Sequence, residues 1–139
     1  MRILVIKLAA LGDMVQAFPS FRRIRAAHPG AELHLLTTPP FVSLAKASGL
    51  FDRIDADGRP RTVIEHLKLF ARLRRERYDR VYDLQTSERS SSYFYALWPQ
   101  RPAWSGIAKG CSLPHANPKR DFMHTLEPAA EQLKFAGRW

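Results

Sequence analysis

The stretch Arg2-Ile-Leu-Val-Ile-Lys-Leu-Ala-Ala-Leu-Gly-Asp13 constrains the chain most. Ile3 to Ile6 is an unbroken apolar run rich in β-branched residues, which suits a strand buried on both faces of a parallel sheet. Small residues follow, then Gly12 and Asp13, and then a helical pattern begins. A strand, a tight turn and a helix N-terminus form the opening of an α/β sheet, and such sheets bind ligands at that end. Lys7 and Asp13, the charges of this stretch after Arg2, fall at or beyond the strand's C-terminal end.

The following 125 or so residues repeat the alternation. Residues 14–27 are predicted helical on a stripe of Val15, Phe18, Phe21 and Ile24, with Asp13 as N-cap and Gln16 at capping-box spacing. Pro19 should kink this helix or shift its start. Residues 31–37 read as a second strand, 41–48 as a short helix stopped by Gly49, and 51–55 as a weak third strand. Asp57-Gly58-Arg59-Pro60 is a turn. Residues 62–77 are expected to be the longest helix, with Val63, Leu67, Phe70 and Leu73 or Arg74 tracing one face. Residues 79–84 form the next strand, 88–98 a helix, and 103–107 a fifth strand. Residues 109–120 read as irregular, and 125–136 as a last helix capped by Thr125. This order predicts one α/β domain over residues 1–139: a Rossmann-like, doubly wound, mainly parallel sheet.

Charge narrows the function. The formal net charge is +9 and the pI about 10.3, which favours a polyanionic partner: nucleic acid, an anionic membrane surface or a phosphorylated small molecule. A single cysteine, Cys111, excludes an internal disulfide and suggests a reducing compartment. No apolar run approaches the roughly 20 residues of a membrane span. Lys7 interrupts the only segment resembling a signal peptide, so the expected location is cytoplasmic.

Strands one and four end in polar turns, Lys7 with Asp13 and Asp83 with Gln85 and Arg89. In a doubly wound sheet these strands are neighbours, and the crevice between them is the switch point. A carboxylate beside cations suits deprotonating a hydroxyl while gripping an anion. Plainer readings stand beside these: Asp13 as a helix cap, compatible with catalysis, and Lys7 as a solvated edge charge. Arg89 in a first helical turn opposes the helix dipole, which points toward a ligand. The cluster Arg72, Arg74, Arg75, Arg77 reads first as a solvated helix face. Tyr93, Phe94, Tyr95 and Trp98 read as core rather than a base-stacking platform, and Cys111 as structural. His115 and His124 lack the company that a metal site needs. No GxGxxG follows the first strand and no GxxxxGK[ST] is present, so neither a dinucleotide nor a P-loop is supported, and no cofactor is expected.

Three blocks together resemble glycosyltransferase family 9, the ADP-heptose:lipopolysaccharide heptosyltransferases. The first is Ile3 through Pro19, in which the proline is a family trait. The second is Tyr78-Asp-Arg-Val-Tyr-Asp83-Leu-Gln85 followed by Arg89-Ser90, and the third Asn117 through His124. The resemblance implies the N-terminal half of a GT-B enzyme, metal-independent and inverting. This half binds a phosphorylated lipopolysaccharide-core acceptor, and ADP-heptose binds only with a C-terminal domain. It implies Asp13 as general base, with Lys7, Gly12, Asp83, Gln85 and Arg89 as substrate-binding candidates. The expectation is a domain lacking the donor half and inactive alone, with peripheral membrane contact and without nucleic acid as partner. Ala9 and Ala10 stand where many relatives carry hydroxyls, and Thr86 where glycine is common. The rival reading is a non-catalytic basic module for phosphorylated glycans or an anionic membrane.

Overall fold

The computed structural model describes residues 1–114. The expected helix at 125–136, the third resemblance block and both His115 and His124 lie outside the described residues. Eleven elements follow in order: β1 (Arg2–Ile6), α1 (Leu11–Ala27), β2 (Glu32–Leu36), a 3-10 turn (Pro39–Phe41), α2 (Val42–Ser48), β3 (Arg53–Asp55), α3 (Val63–Glu76), β4 (Arg80–Asp83), α4 (Glu88–Ala96), β5 (Ala103–Gly106) and β6 (Leu113–Pro114).

The strands form one sheet in the order β3-β2-β1-β4-β5-β6, and every pairing is parallel. This is the doubly wound order, with the switch point between β1 and β4. Ile6 stands opposite Leu36 on one side and Asp83 on the other. The Rossmann-like parallel fold expected from the sequence is therefore present.

The strand alternation sorts the core into two layers. Ile3, Val5, Leu33, Leu35 and Tyr82 pack with Met14, Phe21 and Ile24 of α1 and Ala45 of α2. Leu4, Ile6, Leu36 and Val81 pack with Leu69 and Leu73 of α3, Tyr93 of α4 and Trp104. Burial on both faces explains the continuous apolar run of β1.

Several local expectations change. Helix α1 starts at Leu11, so Asp13 is its third residue and Ala10 its N-cap. Ala10 has no side-chain acceptor; the Asp13 carboxylate instead accepts from the Ala10 N–H at 3.4 Å and sits favourably on the helix dipole. Pro19 lies inside a helix that runs on to Ala27. Helix α1, with 17 residues, is longer than α3, with 14. The buried side of α1 is Met14, Ala17, Phe21 and Ile24, and Val15 is exposed. In α3 the expected face also rotates. Leu69 and Leu73 are buried, whereas Val63 and Leu67 are 74% and 61% exposed. Ion pairs set this orientation: Arg72 binds Asp55 and Asp57, and Glu76 binds Arg2 and Arg53, which draws that side of the helix onto the sheet. Of the four aromatics expected in the core, Tyr93 is buried and Phe94 half-buried, but Tyr95 and Trp98 face solvent. Strand β6 forms inside the stretch expected to be irregular.

Candidate functional site at the sheet switch point

The loops after β1, β3 and β4 meet above the β1–β4 crevice. Gln85 joins the first and last of them. Its Oε1 accepts from the backbone N–H of Leu8 at 2.9 Å and of Ala9 at 3.3 Å. Thr38 donates to the Leu8 carbonyl at 2.7 Å. The middle loop is held by Gly58, whose N–H donates to the Thr37 carbonyl at 2.9 Å and whose carbonyl accepts from the Tyr93 hydroxyl at 2.7 Å. A Cβ at Gly58 would lie 2.3 Å from Leu8 Cδ2 and 2.7 Å from the Thr37 oxygen, so close approach requires glycine there.

Beneath these loops lies a buried polar pair. Lys7 and Asp83 are both fully buried. Lys7 Nζ donates to the Leu84 carbonyl at 3.3 Å. One oxygen of Asp83 accepts from the backbone N–H groups of Gln85 and Thr86 at 3.0 and 2.9 Å, and the other from Ser90 Oγ at 2.8 Å. Burial pushes the Asp83 carboxyl up to about 6, against the pull of those donors and of Lys7. Asp83 therefore fixes the turn that leads into α4, and Lys7 supplies the neighbouring charge.

Above the pair, a cleft of about 590 Å³ is lined by Leu8, Arg59, Gln85, Thr86, Ser87, Glu88, Arg89 and Ile107. Thr86 adopts φ 49°, the left-handed region that favours glycine. Its Oγ1 is buried and has no hydrogen-bond partner among the described residues. Ser87 caps α4 by accepting from the Ser90 N–H at 3.2 Å. The positive end of α4 therefore faces the cleft beside Arg59 and Arg89. Neither arginine forms an ion pair among the described residues. Arg89 instead leans on Tyr93, whose hydroxyl is pushed up to about 12, chiefly by burial. A pocket with two guanidinium groups against one carboxylate, Glu88, together with a helix N-terminus and one unused hydroxyl suits an oxyanion.

Of the sequence candidates, Gln85 and Arg89 line the cleft, and Lys7 and Asp83 lie under it. Gly12 and Asp13 stand on the first turn of α1, at the same sheet edge but outside the lining. Arg59, Thr86 and Ser90 join the site in the structure without being marked as substrate-binding by the sequence. Arg59 sits in the Asp57-Gly58 turn, and that turn at a strand's C-terminal end was the available signal. Ser90 stands three residues after the cap Ser87, a spacing visible in the sequence. Cys111 is half-buried, its thiol pushed up by burial, which suits a structural role. Among the described residues, no group of three or more His, Cys, Asp or Glu is arranged to hold a metal. No described helix is long and apolar enough to cross a membrane. A larger groove of about 850 Å³ runs along β5 between Trp98 and Lys109. None of the strand-end polar groups lines it, so the chemistry points to the smaller cleft.

No family model matches the chain. Lipopolysaccharide heptosyltransferase 1 of Campylobacter coli is 29% identical over 86 residues, 61% of this chain and 25% of that protein. The fold is shared with the family 9 glycosyl transferase of Veillonella parvula, at TM-score 0.71 and 17% identity, over 95% of this chain and 40% of that one. It is shared equally with E. coli ADP-heptose lps heptosyltransferase II, at TM-score 0.70 and 23% identity, over 95% and 40%. The chain spans less than half the length of these proteins.

Proposed function

From the premise that this chain is a glycosyltransferase-like domain resembling family 9, we propose that it is the acceptor-binding side of an inverting heptosyltransferase-like enzyme. The cleft over Thr86 and Arg89 carries this reading. Its arginines, without ion-pair partners among the described residues, and its helix N-terminus suit the phosphates of a lipopolysaccharide-core acceptor. Asp13, on the adjacent helix turn, takes the acceptor hydroxyl proton. The freed oxygen attacks the anomeric carbon from the face opposite the nucleotide, and the nucleoside diphosphate departs with the bonding electrons. Lys7 and Asp83 work from below by holding the two loops, without touching the sugar. ADP-heptose binding needs a second domain, so this chain alone does not turn over. The reaction belongs on the cytoplasmic side of the inner membrane.

An amide-shift titration tests the reading. A phosphorylated core oligosaccharide should shift the amides of Thr86 to Arg89 and of the first turn of α1, while ADP-heptose shifts neither. Shifts with ADP-heptose alone would overturn the assignment to the acceptor side. In a form joined to a nucleotide-sugar-binding domain, Asp13→Ala should abolish transfer and spare acceptor binding. One observation favours a second reading, a non-catalytic module for phosphorylated glycans: the loop beside Asp13 presents Ala9 and Ala10, with no side-chain donors for a sugar. That module would bind the oligosaccharide equally well as Asp13→Ala, and the joined form would not transfer.

A further inference from the structure

We propose that the outward face of α3 is a docking surface for an anionic lipid bilayer. The inference stands on this helix alone, apart from the acceptor reading. Val63, Ile64 and Leu67 are 74%, 65% and 61% exposed, on adjoining turns of one face. Such a cluster of large aliphatic side chains in water is the mark of an interaction site.

Charge identifies the occupant. The other outward positions of the helix are Lys68, Ala71, Arg74 and Arg75, all exposed. Both acids of α3 are committed elsewhere. Glu65 turns back to accept from the Arg61 and Thr62 N–H groups, and Glu76 is paired with Arg2 and Arg53. The outward face is therefore apolar and cationic with no carboxylate on it, whereas an ordinary solvated face mixes both signs. Arg61, Lys68 and Arg75 have no ion-pair partner among the described residues. Aliphatic side chains inserted at the acyl boundary, with lysine and arginine among phosphate headgroups, are the recognition chemistry of an interfacial helix. Nucleic acid would satisfy the cations and leave the aliphatics in water. The place in the fold also fits. Arg59 lines both the switch-point cleft and the groove beside Lys68 and Arg72, so a bilayer on α3 would lie next to the cleft mouth.

Vesicle flotation with the full chain tests this. Vesicles of phosphatidylcholine with about 30% phosphatidylglycerol should float the protein, and phosphatidylcholine alone should not. The triple change Val63→Ser, Ile64→Ser, Leu67→Ser should lower partitioning about tenfold or more. Lys68→Gln and Arg75→Gln should each weaken it about fivefold. Circular dichroism checks that these exposed substitutions leave the fold intact. Arg22→Gln with Arg23→Gln, exposed on α1, should change little. The proposal fails if the wild type ignores anionic vesicles, if the triple variant floats like the wild type, or if the α1 pair matters as much as the α3 pair. Loss of self-association in the triple variant, without wild-type vesicle binding, would make the occupant a second copy and also overturn it.

Discussion

The two edges of this one sheet handle charge in opposite ways. At the N-terminal edge, cations and carboxylates pair in the open: Arg2 with Glu32 and Glu76, and Arg53 with Glu76. At the C-terminal edge, Lys7 and Asp83 are sealed inside, and Arg59 and Arg89 line the cleft with a single carboxylate, Glu88, and form no ion pair among the described residues. The first arrangement tolerates loss because water replaces each partner. The second keeps two guanidinium groups beside a helix N-terminus where a ligand can reach them. Stability and binding are thus assigned to different ends of the same strands.

The sharpest way to break the contrast is Asp83. Asp83→Ala removes the carboxylate beside buried Lys7 and frees two backbone N–H groups, so urea unfolding at pH 7.5 should show a loss of about 3–5 kcal/mol. The two edges should also titrate with opposite sign. The folded Asp83 carboxyl is raised to about 6, so the folded state holds its proton longer than the unfolded state. Its contribution is complete below the unfolded value near 4, and roughly 3 kcal/mol is lost as pH rises through 6. Asp83→Asn should flatten that slope. Glu32 is held below its usual value by its hydrogen bond from Arg2, so its contribution is present at neutral pH and lost on acidification.

Gly58→Ala should cost about 1–3 kcal/mol by thermal or urea unfolding, because Leu8 and the Thr37 carbonyl occupy the place of the new methyl. Thr86→Gly should sharpen the comparison further. Releasing the left-handed backbone should stabilise the protein by about 0.5–1 kcal/mol, while loss of the hydroxyl weakens anion binding in the cleft. The smallest effect belongs to the N-terminal edge. Arg53→Ala should change stability by less than about 1 kcal/mol, with the difference shrinking in salt.

Much of the C-terminal edge could be read in the sequence. The β-branched run of β1 and the Val81–Tyr82 pair of β4 identify central strands, and strand adjacency then brings Lys7 and Asp83 together. The burial of Lys7 could not be read, because a lysine at a strand end looks the same whether solvent or another loop lies above it. Arg59 was also hidden: it reaches the cleft only because Gly58 lets the third loop settle on Leu8. Spacing alone misplaced the face of α3, since Arg72 and Glu76 count as polar in a periodicity yet anchor the helix to the sheet. Strand β6 has two residues, one of them a proline, and carries no periodic signal.

One oxygen of Gln85 holds two consecutive amides of the loop after β1. That carboxamide is a linkage in the mechanical sense. It spans from the turn that leads into α4 to Leu8 and Ala9, just before the start of α1. The loops of β1 and β4 are therefore tied together by one side chain, next to the turn that carries the first carboxylate of α1.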